Sequence, residues 1–243
     1  MHAPLHDQTV AILGATSGIG RATAKTVRAA GAQVVLGARD EAGLSRTAAE
    51  VPGAATVRVD AGDRDQLEAF LDEAAGVDHL VLSFSGGPAG AGPIDSLDLG
   101  ELRAGFEGKF WPYVSAVQAA VRCLGEGGSI TMVAAASAGA PFAGAAGLAA
   151  INGALESMVP ALAVELKPIR VNAVSPGVID TPFWAPLPDD QRREMFDQYV
   201  SATPVGRIGS ADDVAAAIVS VIANAFITGS VVPVDGGLAL TAA

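Results

Sequence analysis

The run Gly14-Ala15-Thr16-Ser17-Gly18-Ile19-Gly20 sets three glycines between an apolar stretch and a helical pattern. Glycines permit a tight turn and close backbone approach, and the free N–H groups at a helix start can hold a pyrophosphate. The spacing is GxxxGxG, not GxGxxG. A glycine turn alone is a weak signal; its place between a first strand and a first helix points to a nucleotide. The next apolar stretch ends Leu36-Gly37-Ala38-Arg39-Asp40. An acid at its end would accept a ribose 2′-hydroxyl and repel a 2′-phosphate. Here Ala38 ends the stretch and Arg39 follows. A guanidinium suits a phosphate, which favours NADP over NAD; the alternative is a solvated surface charge. Asp40 reads as a helix N-cap. His2 and His6 read as tail residues, and His79, at the start of an apolar run, as structural. No His/Cys/Asp/Glu set has metal-ligand spacing, so no metal site is expected.

These residues need elements to position them. Short apolar runs predict strands over Thr9–Leu13, Gln33–Gly37, Thr56–Val59, His79–Ser83, Ser129–Val133, Arg170–Val174 and Ser230–Val232. Most are rich in Val, Ile and Leu without polar alternation, as suits strands buried on both faces. Helical patterns lie between them, at Ile19–Ala30, Glu41–Glu50, Arg64–Ala74, Leu97–Leu124, Leu148–Lys167 and Asp212–Ala223. The alternation predicts one doubly wound α/β domain over residues 1–243, a parallel seven-stranded sheet of Rossmann type with helices on both faces. Ligands in that architecture bind past the carboxyl ends of the strands.

Composition narrows the classes. The chain has 243 residues, a net charge of −11, one cysteine and a mean hydropathy of +0.40. The acidic balance argues against nucleic acid and anionic membranes as partners. Cys123 has no partner in the chain, and a reducing, cytoplasmic setting is the simple reading. Ala215–Ala223, taken as the longest apolar stretch, is too short to span a bilayer. Residues 1–8 lack the pattern of a signal peptide.

With these features in place, the chain resembles the short-chain dehydrogenase/reductase family nearly end to end. Leu13 through Gly20 is similar to that family's TGxxxGIG turn, with Leu13 in place of Thr. Asp60, followed by Ala61, matches the acid that contacts adenine. Asn172-Ala173-Val174-Ser175-Pro176-Gly177 matches its N-A-x-x-P-G turn, and Pro204 through Arg207 and Thr228 through Gly237 match its C-terminal pattern. The resemblance implies NADP(H) held by Gly14, Thr16, Ser17, Gly18, Ile19, Gly20, Arg39, Asp60, Ala61, Ser83, Pro176, Gly177, Val178 and Thr181. It implies hydride transfer to or from a carbonyl or carbinol carbon, and a homotetramer or homodimer.

The family's catalytic Tyr, Lys, Ser and Asn are replaced. Leu148 stands at the Tyr position, Asn152 at the Lys position, Ala135 at the Ser position and Lys109 at the fourth-helix Asn position. Lys109 and Asn152 look like an exchange of residue types, which would return a cation to the site from another helix; the alternative is a surface lysine. Asn152 can bond ribose hydroxyls but supplies no charge. If the fifth strand continues, Ser137 lies about 7 Å beyond position 135 on the same face and can serve the substrate; otherwise it caps a loop. Tyr113, one helical turn after Lys109, reads as a packed aromatic, and Tyr199 lies on another element. The segment at about 182–204 falls where the family places its substrate lid; Phe183, Trp184, Met195 and Phe196 would give it an apolar underside suited to an apolar carbonyl or alcohol, or else simply pack a helix onto the sheet. Two readings stand: an oxidoreductase with a non-standard proton relay, or a catalytically inactive NADP(H)-binding homologue acting as a sensor or assembly subunit.

Overall fold

The computed structural model describes residues 4–74 and 76–241; His2 lies outside them. Seven parallel strands form the sheet: β1 (Thr9–Leu13), β2 (Gln33–Ala38), β3 (Ala55–Arg58), β4 (His79–Leu82), β5 (Ser129–Val133), β6 (Arg170–Pro176) and β9 (Val231–Val234). Their order is β3-β2-β1-β4-β5-β6-β9. β1 pairs with β2 through Val10↔Val34 and with β4 through Val10↔His79, so the chain leaves β1 in both directions. A crevice opens at the carboxyl ends where the order reverses.

Alternation along β1 explains the layers. Ala11 and Leu13 face one core; Val10 and Ile12 face the other. The first core is covered by α3 (Arg64–Glu73), α5 (Trp111–Ala120) and α6 (Ala146–Glu165), through Phe70, Tyr113 and Leu155. The second is covered by α1 (Gly18–Ala29), α2 (Glu41–Glu50) and α8 (Ala211–Ala223), through Val27, Leu44 and Ile218. Strands β4, β5 and β6 are buried throughout, whereas the outermost strands β3 and β9 are largely exposed or half-buried, because each has a partner on one side only. The remaining elements are a short pair, β7 (Ile179–Asp180) with β8 (Gly209–Ser210), the helix α7 (Asp189–Ala202) and a terminal turn α9 (Leu238–Thr241).

Several expected boundaries change. The helix expected over 97–124 is α4 (Leu99–Gly105), a π turn (Phe106–Phe110) and then α5. Pro112 is the physical reason. It has no N–H for the Gly108 carbonyl, and its ring crowds that carbonyl; the Trp111 N–H reaches back to Phe106 instead. Strand β5 stops at Val133, and Ala136–Ala138 form a 3₁₀ turn, so the strand does not continue to Ser137. Asp40 sits at the N-cap of α2, but its carboxylate takes a bond from the Arg46 side chain at 3.3 Å and none from the backbone N–H groups of the helix.

The longest apolar helix is α6, not the stretch at 215–223. By length and composition alone α6 could cross a membrane. Ile151, Leu155 and Val159 instead pack it onto the sheet between β5 and β6. Its outer face, including Ala150, Ala161 and Val164, is exposed. His79 is structural as expected: its ring bonds Ser129 Oγ at 2.8 Å and Gln8 Oε1 at 3.2 Å.

Candidate active site

A cleft of about 780 Å³ lies at the carboxyl ends of the strands. The glycine turn forms one end. Gly14 has φ +87°, and a Cβ there would come within 2.6 Å of the Ser83 carbonyl oxygen; one on Gly20 would come within 2.1 Å of the Gly14 carbonyl oxygen. Only glycine fits either place. The α1 N-terminus has Ser17 at its cap but no side-chain capping bond, and no acid in its first turn. By contrast, α3 is capped by Asp63 and α8 by Ser210. The first α1 N–H groups are therefore left to a ligand, and the helix dipole there favours an anion.

Arg39 lines the cleft, is exposed, and makes no ion pair or side-chain hydrogen bond among the described residues. Asp60 takes the Gly62 N–H at 2.9 Å, which holds its carboxylate beside Ala61 at the cleft wall. Ser83, Pro176, Gly177, Val178 and Thr181 line the same cleft, with Thr16, Ser17, Gly18 and Ile19. Gly20 is buried behind them. A dinucleotide fits this set: uncapped N–H groups, an unpaired cation and a tethered acid lie along one continuous wall.

The other end holds the polar cluster. The π turn carries Lys109 inward, where it is 9% exposed. Its Nζ donates to Asn152 Oδ1 at 2.7 Å and to the Ala134 carbonyl at 3.4 Å. Asn152 Nδ2 donates in turn to Ser137 Oγ at 3.2 Å and to the Leu148 carbonyl at 3.0 Å. Lys109 is not a surface lysine. Burial lowers its pKa to about 8, against the opposing pull of the Glu156 carboxylate. Ser137 reaches the cleft from the 3₁₀ turn, not from a continued strand. Leu148 and Ala135 line the cleft too, and neither has a proton to give.

Tyr113 is fully buried, and its hydroxyl lies within hydrogen-bond reach of the carbonyls of Leu82, Phe84 and Val133 at 2.9–3.1 Å. Burial raises its pKa. It ties β4 to β5 under the cleft and does not line it. The Lys109 ammonium stands 5.8 Å from its ring centroid.

The lid divides. Phe183 and Trp184 line the cleft, and Trp184 Nε1 donates to the Ile179 carbonyl at 2.9 Å. Met195 and Phe196 do not line it. Met195 faces a neighbouring cavity, and Phe196 packs edge-on against Trp184 at 6.2 Å, because α7 turns those positions away. Three contributors escaped the sequence reading. Phe142 and Tyr199 both line the cleft, their rings 5.7 Å apart. Glu156, one turn beyond Asn152 on α6, accepts a 2.6 Å bond from Ser175 Oγ. Its position at i+4 was the available signal. Burial raises its pKa, while Ser175 and Lys109 pull it down. Among the described residues, no group of three His, Cys, Asp or Glu side chains gathers to hold a metal.

The family model described as Enoyl-(Acyl carrier protein) reductase matches residues 14–239. The L-xylulose reductase of Bos taurus is 33% identical over 239 residues, covering 95% of this chain and 96% of that protein. An L-rhamnose 1-dehydrogenase (NAD(P)(+)) of Azotobacter vinelandii is 36% identical over 261 residues, covering 96% and 97%. A crystal structure of a small-chain dehydrogenase in complex with NADPH superposes with a TM-score of 0.82 at 31% identity, covering 96% of this chain and 99% of that one. The family model and these relatives match nearly the whole chain, and on that ground the chain belongs to the short-chain dehydrogenase/reductase family.

Proposed function

We propose that the chain is an NADP(H)-dependent oxidoreductase acting on a carbonyl or alcohol of an apolar small molecule, with a proton relay rebuilt on Lys109, Asn152 and Ser137. The observation that carries this reading is the buried bond from Lys109 Nζ to Asn152 Oδ1, 2.7 Å long, beside the cleft. The nucleotide is assigned to the glycine turn and the uncapped start of α1, with its 2′-phosphate on Arg39 and its adenine beside Asp60. The cofactor, when bound, supplies the hydride. Lys109 supplies the proton: with its pKa lowered to about 8, it is charged at neutral pH yet gives up a proton readily. Asn152 holds Lys109 through Oδ1 and Ser137 through Nδ2, and so fixes both relative to the reacting oxygen. Ser137 Oγ steadies that oxygen as charge develops on it.

A second reading, a non-catalytic NADP(H)-binding subunit, draws support from Leu148 and Ala135, whose positions in the cleft offer no acid. Consumption of NADPH with carbonyl substrates separates the two. Lys109→Ala is expected to abolish turnover and weaken NADPH binding, with Lys25→Ala silent; Lys25 lies on α1 beside Glu50 at 3.6 Å. The exchange Lys109→Asn with Asn152→Lys is expected to retain NADPH better than either single change. Turnover and binding both untouched in Lys109→Ala would refute the relay.

We also assign the exposed apolar face of α6 and the half-buried strand β9 to contacts within a homodimer or homotetramer. The lone Cys123 supports a cytoplasmic setting.

A further inference from the structure

Glu156 is a half-buried charge that the relay leaves unused. It follows Asn152 by one turn of α6, so the two side chains share a stripe of the helix. Its carboxylate accepts a 2.6 Å bond from Ser175 Oγ, and Ser175 is 5% exposed. Ser175 stands on the same face of β6 as Val171 and Ala173, the face that α6 covers. The next residues, Pro176 and Gly177, line the cleft. Among the described residues neither Glu156 nor Lys109 has an ion pair within 4.0 Å. The other groups facing Lys109 are neutral: the Asn152 amide, the Ala134 carbonyl and the Tyr113 ring, whose phenol is pushed away from ionisation by burial. Ser175, the partner of Glu156, is neutral too. A carboxylate drawn out of water costs free energy unless a cation offsets it, and a neutral amide would tie α6 to β6 without that cost.

We propose that Glu156 is a positioning residue of the relay: clamped by Ser175, its carboxylate is the counter-charge that keeps the buried Lys109 ammonium protonated. The spacing suits the task. A carboxylate bonded directly to Lys109 would hold the proton fast. One helical turn from Asn152, it offsets part of the cost of burying the ammonium and leaves the proton free to go. The two groups pull on each other in the expected sense. Burial lowers the Lys109 pKa to about 8 and Glu156 opposes that fall; burial raises the Glu156 pKa, and Ser175 and then Lys109 oppose that rise. The service to the relay rests on the oxidoreductase reading above; the coupling of the two charges does not.

The chain has three lysines, Lys25, Lys109 and Lys167, and the first and last are exposed, so the test can read Lys109 directly. The full chain is labelled with ¹³C-lysine, and the Cε shifts are followed by NMR from pH 6 to 11; the signal missing from Lys109→Met is that of Lys109. Wild type is expected to titrate near pH 8 at this site. Glu156→Gln keeps the shape, removes the charge, and is expected to lower the midpoint by about one pH unit. Glu156→Asp should restore most of that fall. Circular dichroism shows whether each variant has folded; if Glu156→Gln has not, Ser175→Ala, which frees the carboxylate from its clamp, carries the same test with a smaller fall. In parallel, NADPH consumption with a carbonyl substrate is measured across the same pH range, and its decline at alkaline pH should move down with the midpoint. An unmoved Lys109 midpoint would overturn the proposal and leave Glu156 a tie between α6 and β6, with the relay intact. A midpoint that falls while the alkaline decline stays in place would uphold the coupling and count against Lys109 as the proton donor.

Discussion

Replacing Lys109 with methionine should stabilise the protein at neutral pH while removing its chemistry. The ammonium is buried, and its pKa falls from the ordinary 10.5 to about 8. At pH 7 the charged form therefore costs the fold about 3 kcal/mol relative to a neutral amine. Lys109→Met removes that cost and keeps the stem's volume. It also forfeits the bonds to Asn152 and to the Ala134 carbonyl, about 2 kcal/mol together, so the net gain is about 1 kcal/mol. The pH dependence carries the same sign. The folded pKa lies below the unfolded one, so between pH 8 and 10.5 the unfolded chain keeps a proton that the folded chain has released. Stability then rises with pH, by about 1.3 kcal/mol between pH 7 and pH 9 from this group. Below pH 8 the penalty is present in full. Glu156 and Tyr113 face the ammonium, and their pKa values are raised from the ordinary carboxyl and phenol ranges; the comparison at pH 7 and 9 uses the difference between wild type and variant to isolate Lys109. Urea denaturation at the two pH values is the assay. The variant is expected to be the more stable at pH 7, with the gap narrowing at pH 9. A variant less stable than wild type at pH 7, or a gap independent of pH, would refute the claim that this lysine is held charged at a cost to stability. A cation kept at such a cost is a mark of function.

Burial, and then the nearby Arg170, lower the His79 pKa to about 4. Its contribution, about 3 kcal/mol, is present above pH 6.5 and lost as pH falls towards 4, so His79→Gln should blunt acid denaturation followed by circular dichroism. Arg39→Ala should weaken NADPH about 10- to 100-fold and leave NADH unchanged in a fluorescence titration, since the lost contact is to the 2′-phosphate alone. Tyr113→Phe should cost about 1–3 kcal/mol of stability, by removing the donor beneath the carbonyls of Leu82, Phe84 and Val133, with the NADPH dissociation constant unchanged. Light scattering should give a mass of two or four chains across dilutions; a single-chain mass would refute the assigned contacts of α6 and β9.

The amino-acid order by itself determined the sheet and the glycine turn, because these depend on local signals. Apolar runs on β1, β4, β5 and β6 mark strands buried on both faces, and Gly14 and Gly20 are required where the backbone meets itself. The pairing of Lys109 with Asn152 is what the family resemblance implies; spacing alone carries no signal for it. Tertiary structure alone decided the rest. Pro112 turned one expected helix into two with a π turn between, and that turn is what buries Lys109. A 3₁₀ turn, not strand alternation, brings Ser137 to Asn152. Tyr113 and Tyr199 have the same side chain; the fold buries the first beneath three carbonyls and sets the second in the cleft wall. Phe142 and Tyr199 meet across 57 residues of chain. Periodicity reports which face of an element is apolar. Whether that face packs against a core, a partner or an open cavity depends on long-range contacts that no local pattern encodes.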